Sequence, residues 1–238
     1  MKRVEERKKK LTPKRAVLLT LTAIIILLLL SAYIFPMFYM ISTSLKTMRE
    51  VNVSPPTLWP EILRWENYAE AWDKMNFFHY FKNSVFVSAM TIVGQLLVCV
   101  PCAYALAKKQ FLGRKFFHTL VLFDLIVPSQ IIFLSIYLIE SKIGWINTYQ
   151  GLIVPFIYSA FSIFFLIQTF KTLPDDVLDA ARLDRCSELQ IIGGIVLPMA
   201  RPTVITTVMF TFVYKWNDYF WTSILTTDDA VRTLPLAI

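Results

Sequence analysis

Residues 16–41 read AVLLTLTAIIILLLLSAYIFPMFYMI, an uncharged run broken only by threonine, serine and one proline. About 20 apolar residues cross the hydrocarbon core of a bilayer, whereas the apolar part of a cleaved signal is only about 7–15 long. The run is therefore an anchor that stays with the chain. Backbone amides in lipid have no water to bond, so such a span must be helical.

The rest of the chain repeats the pattern. Its 238 residues are 56% hydrophobic and 17% charged, with a mean hydropathy of +0.54. Soluble domains carry about 25% charged residues, which places this chain with membrane proteins. Further apolar runs at 83–107, 116–139, 151–170 and 202–225 give five expected spans. None shows strand alternation, so the fold class is all-α, a polytopic membrane helical bundle. The expected organisation is a basic tail at 1–15 followed by a transmembrane domain at 16–238, with its longest internal loop at 171–201.

Charge orients the bundle. Eight of the 24 Lys and Arg residues fall in the first fifteen positions, and no aromatic residues interleave with them. The net charge of +7 thus reads as a topology signal and not as a nucleic-acid surface. With the N-terminus cytoplasmic, the inner segments hold sixteen Lys and Arg residues and the outer ones seven. That excess favours an N-in arrangement and puts loop 171–201 in the cytoplasm. The outer segment before the second span is rich in tryptophan and predicts a short interfacial helix. Asn83 and Ser84 read as caps for that second span.

Several chemistries are excluded. Three cysteines are too few for a disulfide framework, and Cys99-x-x-Cys102 lies within an apolar span with no βαβ context. Small buried residues are the simpler reading of that pair. His79 and His118 are isolated, so no metal site is expected, and no P-loop motif occurs. No catalytic cluster with enzyme-like spacing is present in the spans.

Against this background, "DAARLDRCSELQIIGGIVLP" at 179–198 is a charged island. It follows "LPDD", with Pro174 ahead and acids in the first helical turn, all of which favour a helix. Leu178, Ala181 and Leu183 give that helix an incomplete apolar face. A helix carrying small residues and both charge signs suits either another protein's groove or packing on its own bundle.

The residues of this loop carry a resemblance. Asp179-Ala180-Ala181, then Asp184, Ser187 and Ile195-x-Leu197-Pro198, resemble the "EAA" signature of ABC importer permeases, with matching spacing. "NYAEAW", "FKNSVFVS", "IGWINTYQGLIVPF", "KWNDYFW" and "RTLPLAI" are similar to the second permease subunit of maltose-type sugar importers. The resemblance covers nearly all of the chain after the basic tail. It implies an ABC importer permease fold in a bacterial or archaeal cytoplasmic membrane. It also implies as partners a second homologous permease, a dimer of ATPase subunits and an extracytoplasmic sugar-binding protein. ATP and magnesium would sit on the ATPase, leaving this chain without a cofactor. The loop helix would be the coupling helix, with Asp179, Ala180, Ala181, Arg182, Asp184 and Arg185 meeting the ATPase. Ala180 and Ala181 would allow close approach. Three departures from the pattern stand out. Asp179 replaces Glu, and Arg185-Cys186 replaces Gly-Ala, so the turn is expected to bend differently. The family also continues into a sixth span, which is expected beyond Ile238.

Ionisable groups at membrane depth are candidates for the substrate path. These are Asp124, Lys215, Asn217 and Asp218. Gln95, Gln130 and Gln168 read as inter-helix hydrogen-bond formers. Lys215 and Asp218 share a helical face, and two readings stay open: an anchor near the outer interface, or a lining of the sugar path. A secondary transporter is the alternative function, but it calls for paired intramembrane carboxylates in symmetric halves, and Asp124 and Asp218 form no such pattern.

Overall fold

The computed structural model describes residues 13–238, the side chains of Pro13, Ala16 and Ser129 excepted. Most of the basic tail, residues 1–12, lies outside the described residues. No strand occurs among the described residues, in keeping with an all-α bundle. The chain divides into two compact units, one ending at Lys74 and the other running Met75–Ile238.

The first unit contains α1 (Pro13–Ser44), α2 (Met48–Val51) and α3 (Glu66–Lys74). Helix α1 begins inside the basic tail, at residue 13, and exposes apolar side chains all round. A helix apolar on every face has no water-facing side, which fits a lipid environment. Helix α3 is the short amphipathic element expected before the second span.

The second unit is built on α4 (Phe77–Lys108). There follow α5 (Arg114–Asp124), a 3-10 turn at Ser129–Ile132, α6 (Phe133–Ile143), α7 (Tyr149–Ile153), a 3-10 turn at Val154–Phe156 and α8 (Ala160–Thr172). The loop helices are α9 (Asp175–Leu183) and α10 (Glu188–Ile191), joined by a π turn at Ile192–Val196 to α11 (Leu197–Met199). Helices α12 (Arg201–Trp216), α13 (Phe220–Leu225) and α14 (Leu234–Ala237) complete the chain.

Helix α4 packs most extensively on α8 and α12. The reason is steric. Cys99, Ala103 and Ala107 recur every four residues and are all buried, forming a small-residue stripe that lets α8 approach closely. A methyl group added at Gly94 would stand 2.5 Å from Ile157 Cγ2, so the segment before α8 also lies close against α4. The Cys99-x-x-Cys102 pair therefore belongs to this packing surface, and both thiols are free.

Two expectations are corrected. Asn83 and Ser84 do not cap the second span, because α4 starts six residues earlier, after Asn76. They are buried instead. Asn83 donates to the carbonyls of Ala230 and Arg232, and Ser84 accepts from the amide of Leu234, pinning the C-terminal segment to α4. The count of five continuous spans also fails. Among the described residues, only Val17–Ser44, Phe77–Lys108 and Tyr149–Thr172 are long and apolar enough to cross a membrane, plus the pair Glu188–Met199 and Arg201–Trp216 if its 88° bend is ignored.

Prolines and loose turns explain the difference. Run 116–139 is interrupted after Asp124, because Pro128 lacks an amide and holds an extended conformation (φ −62°, ψ 125°). It therefore forms two eleven-residue helices, α5 and α6. Run 202–225 breaks at residues 217–219, between α12 and α13. Hydropathy registers apolar content and overlooks such breaks.

Candidate functional site

Two regions gather the residues singled out from sequence. The first is the loop at 173–200. Asp175 and Asp176 lie in the first turn of α9 and Arg182 in its last, complementing the helix dipole. The faces of α9 are now distinguishable. Leu178 and Ala181, three residues apart, point into the core beside Phe170 and Ile191. Ala180, Asp179 and Asp184 are exposed, and Leu183 is 85% exposed. Ala181 is thus a packing residue and not free for a partner, which changes its expected role. Leu183, five residues from Leu178, falls about 140° round the helix and joins the outer face.

The C-terminus of α9 is closed by a Schellman motif. Cys186 N–H donates to Ala181 O and Arg185 N–H to Arg182 O, both at 3.0 Å. Arg185 takes the left-handed conformation this requires, at φ +61°. The turn therefore keeps the shape that glycine favours, where a different bend was expected. A non-glycine residue there costs about 1–2 kcal/mol. Arg185→Gly is accordingly expected to stabilise the loop by up to about 1 kcal/mol, after allowance for glycine's greater freedom when unfolded. Slower amide exchange of residues 179–190 is the readout; unchanged or faster exchange would contradict it.

A polar node ties this loop to the end of α4. Tyr104 Oη donates to Glu188 Oε2 at 2.7 Å and accepts from Arg182 Nη2 at 3.1 Å. Lys109 pairs with Glu188 Oε1, and Arg182 Nη1 reaches Asp179 Oδ1 at 2.5 Å. The Lys109 ammonium holds the Glu188 carboxyl below the usual carboxylate range. Lys108 adds a pair with Asp175 at 2.7 Å. These bonds hold α9 and α10 to the C-terminal end of α4. Tyr104, Lys109 and Glu188 were not among the sequence candidates, since nothing in the local pattern reveals contacts about eighty residues apart.

The second region lies within the bundle, in a cavity of about 530 Å³. Its walls include two helix breaks, one after α5 (Asp124 and Val127) and a further one between α7 and α8 (Pro155, Phe156, Tyr158 and Ser159). Irregular backbone at membrane depth is tolerated where it is buried in protein or lines a cavity. Gln95 from α4 stabilises the arrangement. Its amide donates to Phe156 O at 3.0 Å, and its Oε1 accepts from Ser162 at 3.2 Å and Thr211 at 2.7 Å. One residue thus joins α4, α8 and α12, the inter-helix role expected for Gln95. Gln130 and Gln168 remain exposed. Aromatic rings of Phe161, Phe210, Tyr214 and Trp221 complete the wall.

The four path candidates separate. Asp124 borders the cavity, whereas Lys215, Asn217 and Asp218 are not part of its wall. Lys215 Nζ lies 2.8 Å from Asp218 Oδ2, with side-chain exposures of 2% and 7%, and 3.4 Å from the Phe156 ring centroid. Asp218 Oδ1 also accepts from the amide of Trp221, so the pair braces the break between α12 and α13. Glu140, 2% exposed, faces the same cluster electrostatically and was placed by sequence in an outer loop. Asn217 is exposed and donates to Val213 O. In this geometry the pair is an internal brace between α12 and α13, apart from the cavity wall. Among the described residues no group of His, Cys, Asp and Glu forms a metal-binding cluster.

The chain is thus a bundle of apolar, partly broken helices with an internal cavity and a charged loop helix clamped to it. Residues 99–238 match the family model described as "Binding-protein-dependent transport system inner membrane component", and the chain belongs to that family. It is 34% identical over 197 residues to the diacetylchitobiose uptake system permease protein NgcG of Streptomyces coelicolor, covering 82% of this chain and 65% of that one. It is 31% identical to the arabinooligosaccharides transport system permease protein AraQ of Halalkalibacterium halodurans, covering 86% and 75%. A crystal structure of a bacterial ABC transporter involved in the import of the acidic polysaccharide alginate superposes with a TM-score of 0.84 at 24% identity, covering 94% of this chain and 79% of that one. The fold is shared with that importer.

Proposed function

We propose that this chain is a translocation subunit of an ABC importer for a mono- or oligosaccharide. A separate ATPase dimer would supply the free energy, and an extracytoplasmic binding protein would deliver the cargo. A second homologous permease completes the path in this reading, and ATP with magnesium binds to the ATPase alone. The observation that carries the proposal is α9. One face is locked into the bundle through Leu178 and Ala181, and the other presents Leu183 beside Asp179 and Asp184. An exposed leucine among charges on a clamped helix suits a groove on a partner. The names of the relatives support the saccharide class, and they include neutral oligosaccharides as well as sn-glycerol 3-phosphate.

The reading requires α9 on the cytoplasmic side, with the N-terminus facing the same way, as the excess of Lys and Arg in the inner segments favours. The test is a single cysteine at exposed Ser187 in a background without Cys99, Cys102 and Cys186. An impermeant thiol reagent added to whole cells is expected to leave it unlabelled until the membrane is opened. Ready labelling of intact cells would overturn both the topology and the coupling role.

A further inference from the structure

We infer that the cavity between the two helix breaks accepts an uncharged saccharide and rejects an anionic one, with the Asp124 carboxylate setting that preference. The inference rests on the reading of this chain as a saccharide importer subunit. Its ground is the chemistry of the wall. Among the described lining residues Asp124 is the only one with a charged side chain. It is exposed towards the cavity, where the hydroxyl of Tyr158 interacts with it. An ionised carboxylate accepts hydrogen bonds and donates none, so it suits sugar hydroxyls as donors. Gln95 has spent its oxygen on Ser162 and Thr211 but keeps one N–H beyond its bond to Phe156 O. Phe161 and Phe210, 45% and 56% exposed, offer apolar rings for the C–H side of a sugar.

An anionic cargo meets the opposite situation. A second negative charge near Asp124, in a space walled by rings and aliphatic side chains, is poorly screened. Among the described lining residues there is no lysine or arginine to compensate. Lys215 lies against Phe156, but it is sealed from the cavity at 2% exposure and already paired with Asp218. Like-charge juxtaposition of this kind disfavours the anion by more than about tenfold in affinity.

The experiment uses the assembled importer in lipid nanodiscs, with the three native cysteines replaced and Ile132→Cys on the cavity wall. Ile132 is 41% exposed, so the new thiol is reachable. Its labelling rates with a cationic and an anionic methanethiosulfonate reagent are each divided by the rate with a free thiol. The cationic reagent is expected to be favoured by at least about tenfold, and Asp124→Asn to bring the two within about twofold. Next, maltose, cellobiose and diacetylchitobiose are tested at millimolar concentration against digalacturonate for protection of the thiol. At least one neutral disaccharide is expected to slow labelling, and digalacturonate to do so only in the Asp124→Asn variant. Equal normalised reagent rates with Asp124 present, or equal protection by digalacturonate and the neutral sugars, would overturn the inference and leave the importer reading standing. Protection by neither class would overturn the assignment of the cavity to the saccharide path itself. Asp124→Asn is nearly isosteric at an exposed position, and a single monodisperse peak on size exclusion verifies its folding.

Discussion

An importer carrying Leu183→Asp is expected to lose its ATPase subunits while the permease bundle folds as before. Leu183 is 85% exposed in this chain, so its replacement removes nothing from the bundle's own core. Burying a leucine against a partner contributes about 1.5–3 kcal/mol. A carboxylate in its place forfeits that and adds the cost of desolvating a charge. Affinity for the ATPase should therefore fall by roughly 10–100-fold or more. Co-purification of the ATPase and substrate uptake should fall together, with thermal unfolding of the permease unchanged. Leu178→Asp, on the inward face at 1% exposure, is the contrast: it should destabilise the bundle itself. Normal co-purification and uptake with Leu183→Asp would remove α9 from the ATPase interface.

The second large effect concerns the buried pair. Lys215→Met alone leaves Asp218 buried at 9% exposure without its cation, with Glu140 close by. Removing one member of a buried pair costs about 3–5 kcal/mol, and replacing both by groups of similar volume costs far less. Lys215→Met should accordingly lower the thermal midpoint of the purified complex sharply. Lys215→Met with Asp218→Asn should recover most of the loss and keep wild-type uptake kinetics. A double variant as unstable as the single would refute the bracing role. An altered substrate range in a stable double variant would return the pair to the transport path.

Much of the molecule was legible beforehand, for a common reason. Membrane spans announce themselves by length and apolarity because lipid offers backbone groups no alternative partner. Segments 17–44, 77–108 and 149–172 were visible in this way, with ends misplaced by one to six residues. The loop signature at 179–198 was visible because a charged island in an apolar chain is conspicuous. The break at Pro128 was also present in the residues, but it was masked by averaging over an apolar window.

The site was less legible. Ala181 and Leu183 looked alike on the page, as apolar or small residues in one short helix. Only the position of α9 on the bundle decides that one is buried and the other exposed. Lys215 and Asp218 were paired correctly from their three-residue spacing, a local property of a helix. Whether that pair faced a cavity or sealed a break depended on Phe156 and Trp221, which belong to other segments.

What the sequence determined by itself was the class of fold, the three spans at 17–44, 77–108 and 149–172, the loop signature and the local ion pair. All of these follow from composition or from spacings within one helix, which the chain carries wherever it packs. The tertiary structure alone decided that Gln95 joins three helices, that Tyr104 and Glu188 hold the loop to α4, and that Asp124 is the charged group at the cavity. Those contacts join residues from roughly thirty to over a hundred positions apart, and they arise from close packing, which no local pattern encodes.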